Sequence, residues 1–135
     1  METLKCMRIE DRLAGEAVPQ GVDPSPMFGT WYNTDKQTAG VVRMVLAERG
    51  GRFVVHAFGA GSPEPFDWGE AAATAYAANV GSGAGMAFSA VYDFGFLETI
   101  LAAYTKSGIL VLDTFNTFKD GSGRSNYFSR EFFHR

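Results

Sequence analysis

From Phe28 onward the chain alternates short β-type runs with clusters of turn formers. The runs are Phe28–Asn33, Gly40–Glu48, Arg52–Gly59, Phe66–Ala78, Met86–Phe94, Leu97–Lys106, Ile109–Phe118 and Ser125–His134. Each is rich in β-branched, aromatic or small apolar residues and is bounded by Gly, Pro, Asn, Asp or Ser, the signature of a strand. Gly50-Gly51 and Ser107-Gly108 suit two-residue hairpins, whereas Gly81-Ser82-Gly83-Ala84-Gly85 and Asp120-Gly121-Ser122-Gly123 mark longer turns. Strands at about 8–12-residue spacing, with no helical stretch long enough for a crossover, predict an all-β antiparallel up-and-down barrel of about eight strands, a sandwich being the alternative.

Parity within the runs predicts which side chains share a face. Glu70–Ala78 has helix-forming composition, but its alternation favours a strand. Phe66, Trp68, Thr74 and Tyr76 share one parity, and Gly69, Ala71, Ala73, Ala75 and Ala77 the other. In Met86–Phe96 the even positions carry Met86, Phe88, Tyr92, Phe94 and Phe96, which predicts one bulky aromatic face and one small one. Both parities of Ile109–Phe118 are largely apolar, so an outer apolar face needs cover, which a homodimer would supply.

Residues 1–26 read differently, as an N-terminal extension that is flexible or forms a short helix; the barrel domain is then 27–135. Leu4, Met7, Ile9 and Leu13 line one side of a helical stretch that Gly15 and Pro19 would end. The length of 135 residues fits one domain, and 46% hydrophobic against 20% charged residues is the balance of a chain that folds. A formal charge of −3 argues against nucleic acid as a partner. No apolar run approaches the roughly 20 residues of a membrane-crossing helix, so no membrane partner is expected. The single cysteine, Cys6, forms no intramolecular disulfide, which favours a reducing, cytoplasmic setting.

Phe28-Gly29-Thr30-Trp31-Tyr32-Asn33 resembles the Gly-x-Trp opening strand of the calycin group: lipocalins, fatty-acid-binding proteins, avidins and nitrobindin-like proteins. The resemblance implies that Trp31 closes one end of the barrel beneath a basic residue from the last strand, Arg130 or Arg135. Gly29–Asn33 and Asp113-Thr114-Phe115 are also similar to segments of bacterial avidins. The further tryptophans of an avidin biotin site are missing, since Trp68 is the only other one, and a strand follows Asp113 where avidins would end. A clear lipocalin Thr-Asp-Tyr motif is absent as well, so no subfamily is assigned.

Candidate chemistry is sparse. His56 lies within a strand and is suited to proton transfer or haem ligation. Asp67-Trp68-Gly69-Glu70 is the densest polar and aromatic cluster, in which an inward Glu70 would gain a raised pKa. Trp68, Tyr76, Phe88 and Tyr92, with the strand-borne charges Arg43 and Asp113, are the expected ligand-binding set. An inward Glu98 or Asp113 would require a cation such as Arg43 or Arg124. With two histidines and one cysteine no metal centre is expected, and no cofactor. The leading expectation is a barrel binding a small apolar or aromatic molecule. The alternatives are a cofactor-independent cyclase, isomerase or dehydratase using His56 or Glu70, and haem binding through His56.

Overall fold

The computed structural model describes residues 21–135. Eight strands run in chain order: β1 (Gly29–Asn33), β2 (Val41–Arg49), β3 (Arg52–Gly59), β4 (Phe66–Tyr76), β5 (Ala87–Asp93), β6 (Leu97–Lys106), β7 (Ile109–Phe118) and β8 (Tyr127–His134). Each pairs antiparallel with the next, and β8 returns to β1 to close the barrel. No helix among the described residues is long and apolar enough to cross a membrane.

Strand alternation divides the side chains between lumen and exterior. Trp31, Met44, Leu46, Val55, Phe88, Leu101, Leu110, Leu112 and Phe133 point inward and are at most 1% exposed. They fill one half of the barrel as a packed core. On the outside, the register aligns Val91, Ile100, Phe115 and Phe128 in one row across β5 to β8, all exposed. The neighbouring row holds Asp113 and Arg130.

The filled end is capped by the preceding chain. The β2–β3 and β6–β7 hairpins turn at Gly50-Gly51 and Ser107-Gly108. Ser25–Met27 forms a short 3-10 turn whose Met27 is fully buried. Trp31 Nε1 donates to the Met27 carbonyl at 2.9 Å. Arg135, just past β8, lies 4.3 Å over the Trp31 ring and donates to the carbonyls of Pro26 and Phe28, each at 3.0 Å. Of the two arginines that the resemblance offered, Arg135 takes the place over Trp31; Arg130 lies outside.

Within the segment read as an extension, Asp23 bridges Ala84 in the β4–β5 connection, so residues 21–26 pack on the barrel. The helix read in the first residues, and Cys6, fall outside the described residues.

One feature of β4 corrects the parity reading. His56 pairs with Glu70 and Phe58 with Asp67, so Trp68 and Gly69 together oppose Ala57. This bulge turns on Gly69, whose φ of +78° is a conformation that side chains with a Cβ resist. The extra residue reverses the alternation. Trp68 faces the lumen together with Ala71, Ala73 and Ala75, while Thr74 and Tyr76 face out.

Closure is uneven around the barrel. The β6–β7 ladder runs through ten register pairs, whereas β1 and β8 meet through only Tyr32↔His134 and Asn33↔Phe133. The Thr34 N–H adds a bond to the Phe132 carbonyl at 2.8 Å.

Candidate functional site

The opposite end is open, framed by the β1–β2, β3–β4, β5–β6 and β7–β8 connections. Here the inward parity changes character on four strands at the same level. Leu110 and Leu112 give way to Thr114 and Asn116, Phe133 to Glu131 and Ser129, Leu101 to Thr99, and Trp31 to Asn33. The packed core stops at this level, and two adjoining hollows of about 440 and 450 Å³ begin.

Their polar wall is a connected hydrogen-bond system. Thr99 donates to Asn116 Oδ1 at 2.8 Å, Asn116 Nδ2 donates to Thr114 Oγ1 at 3.0 Å, and Thr114 and Ser129 share a hydrogen bond of 2.5 Å. Across the seam, Asn33 Nδ2 donates to Glu131 Oε2 at 2.9 Å and to the Val41 carbonyl at 2.9 Å. Asn33 Oδ1 accepts from the Asp35 N–H at 2.8 Å, which orients the amide. Thr38 donates to the same Glu131 oxygen and accepts from the Gly40 N–H.

An aromatic wall rises opposite, from β4 and β5. Trp68 meets Tyr92 and Phe94 edge-on, with centroids 5.3 and 5.2 Å away, and Tyr92 and Phe94 stack at 5.7 Å. The indole packs closely on β3, where a Cβ on Gly59 would come within 2.6 Å of Trp68 Nε1. Tyr92 holds the β4 bulge in place. Its hydroxyl donates to the Gly69 carbonyl at 2.7 Å and accepts from the Ala57 N–H at 3.1 Å. Burial pushes its pKa up to about 12.

The residues expected to form one site fall into three places. Trp68 and Tyr92 belong to the aromatic wall; Phe88 lies deeper, packed edge-on against Phe53 within the core. His56, Glu70, Tyr76, Arg43 and Asp113 lie on the outside. His56 shares a hydrogen bond of 2.5 Å with Asp67 and stacks on Phe58 at 4.5 Å. That bond, with the Gly69 N–H, holds the Asp67 carboxyl below its usual range. Glu70 pairs with Arg49, and the Tyr76 hydroxyl with Ser89 at 2.9 Å. Arg43 covers the outer Phe58 ring at 4.0 Å. Asp113 takes a two-pronged bond from Arg130 at 2.7 and 2.9 Å, rather than from Arg43 or Arg124, and Arg124 pairs with Asp120.

The polar wall itself was missed in the sequence reading. The available signal was the switch along one parity from Leu110 and Leu112 to Thr114 and Asn116, repeated on β8 and β1. Among the described residues no group of three or more His, Cys, Asp or Glu is placed to hold a metal ion. No protein-family model, curated protein or solved structure matches the chain.

Proposed function

We propose that the open end of the barrel binds a small organic molecule, with its flat apolar part against Trp68 and Phe94 and its polar atoms toward Asn116, Ser129 and Glu131. The observation that carries this reading is the simultaneous change of four strands from core-forming to hydrogen-bonding side chains, facing an aromatic wall. A barrel selected only for stability gains from continuing its apolar core, because each buried polar group must be matched by a partner. A concave site with a few convergent polar groups on an apolar background is the usual form of a ligand pocket. His56 and Glu70, facing outward, take no part in it. The closed eight-stranded barrel and Trp31 beneath Arg135 also support a calycin-like assignment.

Native mass spectrometry of protein purified from its own host tests the proposal. We expect a bound adduct of small mass on the wild-type protein, and its loss or marked depletion in Trp68→Ala. A wild-type protein that carries no adduct, together with a Trp68→Ala variant indistinguishable from it, would refute the reading.

We further propose that the outer face of β5 to β8 is covered by a second copy of the chain. The exposed row Val91, Ile100, Phe115 and Phe128 supports this, and an Asp113–Arg130 pair beside it offers each copy both signs of charge. Sedimentation equilibrium should give a dimer for the wild type and a monomer for Phe115→Glu; a monomeric wild type at micromolar concentration would exclude it.

A further inference from the structure

Lys36, Lys119 and Arg124 lie on the connections around the mouth, Lys119 paired with Asp93 and Arg124 with Asp120, but the charged side chains that line the hollows themselves are of one sign. The two hollows are lined by Asp35, Asp67 and Glu131 and by no Lys, Arg or His. Two of these carboxylates are engaged locally: Asp35 Oδ1 accepts from the Gln37 N–H at 2.9 Å, and Asp67 is bound by His56 and by the Gly69 N–H. Glu131 differs from both.

Its Oε2 receives the Asn33 amide and the Thr38 hydroxyl, so two donors orient the carboxylate on the lumen wall. Among the described residues no hydrogen bond reaches Oε1. That oxygen lies beside Gly40, where an added Cβ would sit 2.6 Å away; the glycine leaves it room. A carboxylate fixed through one oxygen, with the other free of hydrogen bonds in the wall of a partly enclosed hollow, is prepared to accept a charged hydrogen bond. Concave surfaces of one sign concentrate potential and favour ligands of the opposite sign.

We infer that the mouth of the barrel selects ligands with a positively charged nitrogen, which docks on Glu131 Oε1 while the apolar portion lies against Trp68 and Phe94. This rests on the ligand-binding reading above and narrows it to aryl or alkyl amines and related cations.

Three probes that share one ring and differ in the terminal group separate the possibilities: tryptamine, tryptophol and indoleacetate, titrated calorimetrically. Tryptamine should bind the wild-type protein at least about tenfold more tightly than tryptophol, the increment of one charge-assisted hydrogen bond, and indoleacetate more weakly than either. In Glu131→Gln, which keeps shape and removes charge, the preference for tryptamine over tryptophol should collapse to within about twofold. A far-UV circular dichroism spectrum and denaturation midpoint like those of the wild type show that the variant is folded. Gly40→Ala, which crowds Oε1 and leaves the charge in place, should reduce tryptamine binding selectively. A tryptamine preference that survives Glu131→Gln overturns the inference, as does equal binding of all three probes that Trp68→Ala weakens alike; in those cases the ligand site itself stands. Failure of tryptamine to bind also overturns it, and the site reading is then decided by the host-derived adduct.

Discussion

Trp31 joins three separate parts of the chain: the turn before β1, the strand itself and Arg135 past β8. Its indole is fully buried and its one polar atom is bonded to Met27. Trp31→Ala should therefore destabilise the protein by about 3–5 kcal/mol, measured by chemical denaturation. A loss under about 1 kcal/mol would show that the cap forms without the indole. Tyr92 makes a prediction of a different kind. Its raised pKa means that the folded state favours the neutral phenol, so its contribution is complete below the unfolded value near 10 and is lost as pH rises toward about 12. Wild-type stability should fall across that interval more steeply than that of Tyr92→Phe, even though the variant starts weaker for want of the hydroxyl's bonds. Parallel pH profiles would contradict this. Gly59 sits where the indole of Trp68 presses on β3. Gly59→Ala should displace Trp68, seen as a shifted tryptophan emission, with the barrel retained by circular dichroism.

At the level of elements, the bulge in β4 decides what belongs to the site. Without the extra residue, Trp68 would share a face with Thr74 and Tyr76, as strict alternation predicts, and since that face is the outer one it would point to solvent. Gly69→Ala should cost about 1–2 kcal/mol for a Cβ at positive φ, and more if the bulge slips and turns Trp68 outward. Loss of ligand affinity beyond the loss of stability would identify the slip. Strand positions were legible because Gly, Pro, Asn and Asp punctuate them: β3, β6 and β7 fall at Arg52–Gly59, Leu97–Lys106 and Ile109–Phe118, the same bounds that the pattern gives. The site was less legible. A bulge inserts one residue and inverts every parity argument beyond it, and Asp67-Trp68-Gly69-Glu70 carries no local mark of where the inversion falls. His56 and Glu70 drew attention as titratable groups, yet parity alone cannot tell lumen from exterior when both faces of a barrel carry apolar residues. Asn33 and Glu131, which are far apart in sequence, come together only through the closure of β1 on β8.

Across the whole molecule, the barrel divides into a packed half that holds the fold together and an open half that holds the polar wall. The strand content of the described residues requires a β-dominated far-UV spectrum, and a helix content near a third would contradict it. The same division predicts where changes are tolerated. Substitutions at Asn116 or Ser129 should alter ligand affinity more than stability, whereas Leu101 or Phe133 truncations should do the reverse.

The short seam between β1 and β8 has a further consequence. With two register pairs against ten in β6–β7, it is where the wall should breathe first, exposing the Tyr32, Thr34 and His134 amides to exchange with solvent deuterium while those of β6 and β7 stay protected. The Asn33–Glu131 bond crosses that line at the mouth. A molecule held against Glu131 would act as a clasp on a hinge that is otherwise loosely fastened, slowing exchange along the seam selectively and leaving the rest of the barrel as it was.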